Sequence, residues 1–196
     1  MLKIYRDFLA RLRAELQKQK GETPFLLAVD GKCASGKTSL AAELGAALNA
    51  PQIHADDFYL PSNARSDAQT PAAHMDISRL ESEVLKPACA GGRIALRPYS
   101  CREDKMLAPV AIETKNAPLI IIEGCYSLHP RLMPYYNYKL FMTAGPAAQR
   151  RRIIKRGGAD AWAAFRDIWI PAEEFYFSSF NIAARADYTI DTTAAW

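Results

Sequence analysis

Three groups of residues in this sequence have the types and spacing to do chemistry. Gly31-Lys32-Cys33-Ala34-Ser35-Gly36-Lys37-Thr38, followed by Ser39, reads G-x-x-x-x-G-K-T between the apolar run Phe25–Val29 and the helix-forming Ser39–Leu44. The two glycines let the backbone turn tightly and present successive N–H groups to an anion, and the helix behind adds its positive end. In such a loop Lys37 can reach terminal phosphates and the Thr38 hydroxyl suits Mg²⁺. The second group is Asp56-Asp57-Phe58-Tyr59. Two carboxylates beside a phosphate cradle repel an anion, so they make sense where one orients a hydroxyl or holds metal-bound water; a solvated Asp-Asp turn is the alternative. The third group joins Glu123, directly after Pro118–Ile122, to the cations Arg150, Arg151, Arg152, Lys155 and Arg156. An acidic residue ending a buried strand reaches Mg²⁺ directly or through water, or else caps the next loop. Five cations in seven helical positions cannot share one face. Followed by Gly157-Gly158, they have the makings of a lid closing on phosphates, or of a solvated helix end.

The elements that must position these residues follow from the apolar periodicity. Residues 3–20 carry Ile4, Phe8, Leu12 and Leu16 at steps of four, which predicts an amphipathic helix packed on the flank of a sheet. The P-loop strand and helix run to about Leu48, and a short strand then ends at Ile53-His54-Ala55. Both open onto the sheet edge where ligands bind in open parallel sheets. Residues 61–75 read as a mobile surface loop. Asp76 to Pro87 reads as a helix with Asp76 or Ser78 as its cap and Ile77, Leu80, Val84 and Leu85 inward. Ile94–Tyr99 reads as an edge strand that pairs with Val110–Ile112 as a hairpin. The run Pro118–Glu123 predicts a central parallel strand buried on both faces. Tyr138–Thr143 is the next strand, a helix starts at Pro146, and Asp160–Arg185 reads helical with a break near Pro171. Phe175, Tyr176, Phe180 and Ile182 are assigned to the core, and Asp187–Asp191 to a last strand.

A chain of 196 residues, with 49% hydrophobic and 23% charged residues, suits one α/β domain and is short for two. A net charge of +4 suits an anionic small molecule but is too small to argue for nucleic acid. Cys33, Cys89, Cys101 and Cys125 form no C-x-x-C pair, which favours free thiols in a reducing compartment over a disulfide framework or zinc site. With no apolar run long enough for a bilayer and no signal-peptide core, the expectation is a cytoplasmic protein without membrane contact.

Set beside the P-loop, His54-Ala55-Asp56-Asp57-Phe58-Tyr59-Leu60-Pro61, Arg97-Pro98-Tyr99, the turn Glu123 to Ser127 and the pattern Trp169 to Tyr176 resemble the uridine kinase-like branch of P-loop kinases. That branch also includes phosphoribulokinase, pantothenate kinase and nicotinamide riboside kinase. The resemblance implies a three-layer α/β P-loop NTPase fold: a doubly wound five-stranded parallel sheet in the order 2-3-1-4-5, with a small lid and an edge hairpin insertion. Residues 1–196 would form a single kinase domain, with 1–20 a flanking helix and 150–165 the lid. The implied activity is transfer of the γ-phosphoryl of ATP, with Mg²⁺, to a hydroxyl of a nucleoside-like or ribosyl acceptor. By the same resemblance Asp56 takes the acceptor proton, and Thr38, Asp56 and Glu123 surround the metal. Lys37 holds the phosphoryl, Arg152 and Arg156 are the lid arginines, and residues 31–39 bind the nucleotide. Asp57, Phe58, Tyr59, Arg97, Tyr99 and Glu123 face the acceptor. The chain departs from the uridine kinases at Tyr99–Lys105, which lacks their Asp beside the tyrosine and their base-contacting histidine, and at Ala72-Ala73-His74, where close relatives read Gly-Gly-Asn. The rival class is a nucleotide-dependent module holding RNA or a protein partner; homo-oligomerisation stays open.

Overall fold

The computed structural model describes residues 2–21, 23–65, 70–115 and 117–195. In chain order the regular elements are α1 (Lys3–Lys18), β1 (Phe25–Gly31), α2 (Lys37–Leu48), β2 (Gln52–His54), α3 (Ile77–Arg79), α4 (Lys86–Cys89), β3 (Ile94–Leu96), β4 (Tyr99–Ser100), β5 (Lys105–Met106), β6 (Val110–Ile112), β7 (Leu119–Glu123), β8 (Tyr138–Thr143), α5 (Pro146–Ala164), α6 (Ile170–Phe180) and β9 (Tyr188–Asp191). Five strands form one parallel sheet in the order β2-β7-β1-β8-β9. Counted along the chain, these are strands 2-3-1-4-5.

Strand period divides the core in two. Leu26, Ala28, Ile120 and Ile122 point to one face, and Leu27, Val29, Leu119 and Ile121 to the other. Every residue of β1 and of β7 is buried, as a parallel strand covered by helices on both sides requires. The second face is covered by α1 through Tyr5, Phe8, Leu9 and Leu12, together with Leu40, Ala41 and Leu44 of α2. The stripe of α1 is thus rotated from the expected one: Ile4 and Leu16 are only partly buried, and Tyr5 and Leu9 take the inward places. The first face holds Leu80, Val84, Leu85 and Ala88, and Tyr176 and Phe177 of α6.

Asp76 caps its helix as expected, accepting the Arg79 N–H at 3.0 Å. A π-helical turn, Leu80–Leu85, joins α3 to α4. β3 pairs with β6, but the two form a separate two-stranded sheet, as do β4 and β5, and neither is an edge of the main sheet. Residues 66–69 of the expected mobile loop lie outside the described residues. The remainder is tied down by backbone hydrogen bonds from Leu60 to His74 (2.8 Å) and from Asp76 to Phe58 (2.7 Å).

Two expectations near the C-terminus are corrected. Pro171 does not break the helix. A π-helical turn at Phe165–Trp169 leads from α5 into α6 and places Pro171 in the first turn of α6. A wider turn accommodates a ring that would crowd a regular one. Phe175 is not core: it is 41% exposed, while Tyr176 and Ile182 are fully buried. The hinge expected at Gly157-Gly158 is a kink within α5, where Gly158 takes φ 79° and ψ −172°, a conformation a side chain disfavours. Among the described residues no helix is long and apolar enough to cross a membrane.

Candidate active site

The loop between β1 and α2 has the backbone that its glycines require. Gly31 (φ 138°) lies against β8, where an added Cβ would come within 1.9 Å of the Met142 carbonyl oxygen. Gly36 (φ 98°) starts α2. Lys37 Nζ donates to the carbonyls of Gly31 (2.7 Å) and Lys32 (3.0 Å), so its amine folds back over the loop. Burial works against the charged amine, but neighbouring acidic groups, Glu173 foremost, outweigh it and hold Lys37 above its ordinary value.

The loop is clamped by both halves of the long C-terminal helix. Gln149 donates to the Cys33 carbonyl at 3.0 Å, and Arg152 to the Ala34 carbonyl at 3.0 Å. From α6, the Glu173 carboxylate accepts the Cys33 N–H at 2.8 Å, and Glu174 pairs with the Lys32 ammonium at 2.7 Å. Beneath the loop lies Asp30, fully buried. Its carboxylate accepts from the N–H groups of Gly31 (2.6 Å), Tyr126 (3.2 Å) and Leu128 (2.8 Å) and from the Tyr176 hydroxyl (2.8 Å). Burial nevertheless pushes its pKa up to about 6.

At the mouth of the loop the Thr38 hydroxyl lies 3.1 and 3.2 Å from the two oxygens of Glu123. His54 Nδ1 approaches the same carboxylate at 2.6 Å, and that hydrogen bond holds the imidazole above its ordinary pKa. Asp56 sits in a 3₁₀ turn, Ala55–Phe58, immediately after β2. Burial raises its pKa, with Lys37 pulling the other way. A hydroxyl and two carboxylates that line one cleft beside the loop are oxygen donors of the kind Mg²⁺ takes, so these residues fit that ion.

A cleft of about 510 Å³ joins these groups, and its walls include Cys33, Lys37, Thr38, Asp56, Tyr59, Glu123, Arg152 and Arg156. Asp56, within the 3₁₀ turn, and Tyr59, the extended residue that closes it, share this cleft. Asp57 and Phe58 point elsewhere, and neither lines the cleft. Phe58 is fully buried in the core, with Arg79 over its ring at 5.1 Å. Arg97 and Tyr99 do not reach the cleft either: Arg97 Nε donates to the Leu107 carbonyl at 2.8 Å, and the Tyr99 hydroxyl to Asp104. Among the described residues, the structure thus brings the loop, Asp56, Tyr59, Glu123, Arg152 and Arg156 together, and places Asp57, Phe58, Arg97 and Tyr99 outside. Arg152 reaches the cleft wall, but its guanidinium is engaged by the Ala34 carbonyl and by Thr192. Arg156 rests on the Phe165 ring at 5.6 Å.

Lys155 of the basic run lines the cleft as well, and so do Cys101, Cys125, Phe165, Trp169 and Glu173, to which no pattern in the sequence gave a role of its own. Trp169 and Tyr59 pack around His74, whose ring stacks on Tyr59 at 5.2 Å. Burial lowers the His74 pKa to about 4, so the ring is neutral there. Asp30 had a usable signal, an acidic residue ending an apolar strand directly before Gly31; Glu173 had only its place in the Trp169–Tyr176 pattern.

No family model matches the chain. Over 133 residues it is 26% identical to the uridine kinase of Saccharomyces cerevisiae, a match spanning 62% of this chain and 26% of that protein. The chain therefore spans about a quarter of the length of this curated relative. A possible uridine kinase from Bacillus stearothermophilus superposes with a TM-score of 0.72 at 19% identity, covering 95% of this chain and 98% of that one. D-glycerate 3-kinase from Cryptococcus neoformans var. grubii superposes at 0.63 with 15% identity, covering 88% of each chain. In sequence the chain resembles uridine kinase, and its fold is the α/β fold of the P-loop kinases.

Proposed function

We propose that the chain is an ATP-dependent small-molecule kinase that transfers the γ-phosphoryl group to a hydroxyl of a nucleoside-like or ribosyl acceptor. One observation carries the reading: the Thr38 hydroxyl meets Glu123 at 3.1 Å beside the phosphate loop, and Asp56 lines the same cleft. A loop that only bound phosphate would gain nothing from carboxylates at its mouth. Mg²⁺, when bound, would neutralise charge on the phosphoryl oxygens, and Thr38, Asp56 and Glu123 would hold it.

The chain's own groups divide the work. Lys37 can pass its hydrogen bonds from the loop carbonyls to a phosphate oxygen. Asp56 orients the acceptor hydroxyl and takes its proton late, as a loose transition state allows. Arg156 and Lys155, at the cleft mouth on the segment 150–165, supply positive charge as that segment closes. Arg152 holds the loop in shape through Ala34. Tyr59 and Trp169 offer the acceptor an aromatic wall.

A coupled ADP-release assay with ATP-Mg²⁺ tests the proposal against nucleosides, nicotinamide riboside, pantothenate, simple sugars and hydroxy acids. Stimulation by one class supports it. No stimulation by any, together with salt-sensitive nucleic-acid binding, would favour the binding module instead.

A further inference from the structure

Glu173 has no part in the transfer just described, yet it stands in the same cleft. It is 7% exposed, and its Oε2 accepts the Cys33 N–H at 2.8 Å. Cys33 is the third residue of the phosphate loop, whose N–H groups are the source of such a loop's affinity for anions. The neighbouring Glu174 is paired with Lys32, whereas Glu173 makes no ion pair within 4.0 Å among the described residues. Groups facing it are Cys33 and Lys37 of the loop, Asp30 of β1, Cys125 and Tyr126 after β7, and Tyr59. Lys37 is the one cation in that set, and its hydrogen bonds go to loop carbonyls. Burial lifts the Glu173 pKa to about 7.

A carboxylate oxygen on a loop N–H is the same kind of ligand as a phosphate oxygen. We propose that Glu173 is a resident anion that competes with the nucleotide's terminal phosphates for the loop, so that a di- or triphosphate binds only as this carboxylate takes up a proton and gives up its charge. Glu173 is then a residue that sets nucleotide affinity and makes it fall as pH rises. The inference rests on the kinase reading only in taking the loop as a nucleotide site.

The test is calorimetric binding of ADP, with AMP as control, to the full chain and to Glu173→Gln at pH 6 and pH 8. Glutamine keeps an acceptor oxygen for the Cys33 N–H and removes the charge. A group with pKa near 7 that must bind a proton weakens binding about tenfold at pH 8. The variant is expected to bind ADP about tenfold tighter than wild type at pH 8 and within about threefold at pH 6, with AMP affinity unchanged. Equal or weaker ADP binding by the variant at pH 8 would show that the carboxylate is only a clamp, and would overturn the inference. Should the variant not fold, wild-type titrations in two buffers of different ionisation enthalpy decide. At pH 8, uptake of most of a proton on ADP binding is expected, and none overturns it. If neither protein binds ADP or inorganic pyrophosphate, the nucleotide reading falls as well; if both bind equally, this inference falls alone.

Discussion

Replacing Tyr176 with phenylalanine removes one oxygen from the interior and leaves the ring in place. That oxygen donates to Asp30 Oδ2 at 2.8 Å, and both residues are fully buried. A hydrogen bond to a charged group contributes about 1.5–3 kcal/mol, so the variant should lose about 2 kcal/mol at pH 8. For a chain of this size that is a fall in Tm of about 4–8 °C. The sign of the pH dependence follows from Asp30. Burial raises its pKa from 3.8 to about 6, so between those values the native state holds a proton that the unfolded chain has released. The stability this carboxyl contributes is therefore greatest below about pH 4 and falls as pH rises towards about 6. Removing a donor to the carboxylate raises the folded pKa further, which carries the falling region above pH 6 in the variant. The Tm difference between Tyr176→Phe and wild type is thus expected to be larger at pH 8 than at pH 5. Melting followed by circular dichroism at both values measures it. A difference under 1 °C at pH 8, or one equal at both, refutes the placement of the charge on Asp30.

Asp56→Asn is expected to hold turnover below about a tenth of wild type while ADP binding persists, because the removed group acts on the acceptor; steady-state kinetics beside calorimetry check this, and higher turnover would remove Asp56 from the base's place. Arg152→Met and Arg156→Met should separate in kinetics: the first raises the KM for ATP by loosening Ala34, and the second lowers kcat with little change in KM. Gly31→Ala puts a methyl group within 1.9 Å of the Met142 carbonyl, and is expected to abolish soluble expression or lower Tm by more than about 10 °C, since the loss exceeds about 3 kcal/mol.

What the sequence made legible was local. The strand, loop and helix around residues 25–48 follow from glycine spacing and an apolar run, and β7 from its unbroken Leu119–Ile122. The Asp76 cap depends on contacts within one turn. Roles fixed by contacts across the chain were not legible in the same way: Glu173 meets Cys33 140 residues away, and Gln149 meets it 116 away. No periodicity encodes such a pairing. Phe58 illustrates the opposite error. Adjacency to Asp56 suggested a shared cleft, but consecutive side chains in a 3₁₀ turn point about 120° apart, and the turn sends Phe58 inward. At Pro171 a residue rule gave way to a π turn, whose position depends on how the helix packs rather than on the proline.

The kink at Gly158 separates two arms that both grip the stretch Lys32–Ala34 and meet at Cys33. Gln149 and Arg152, before it, hold Cys33 and Ala34; Glu173 and Glu174, after it, hold Cys33 and Lys32. Hinge, arms and loop therefore form a closed ring of contacts rather than a flap attached at one end. In a ring, bending at the hinge loads every joint, so the basic segment cannot swing without changing the shape of Lys32–Ala34. The converse holds as well. An anion that reshapes the loop applies torque at Gly158, and a substitution that stiffens this one glycine would be felt in a loop about 125 residues earlier in the chain.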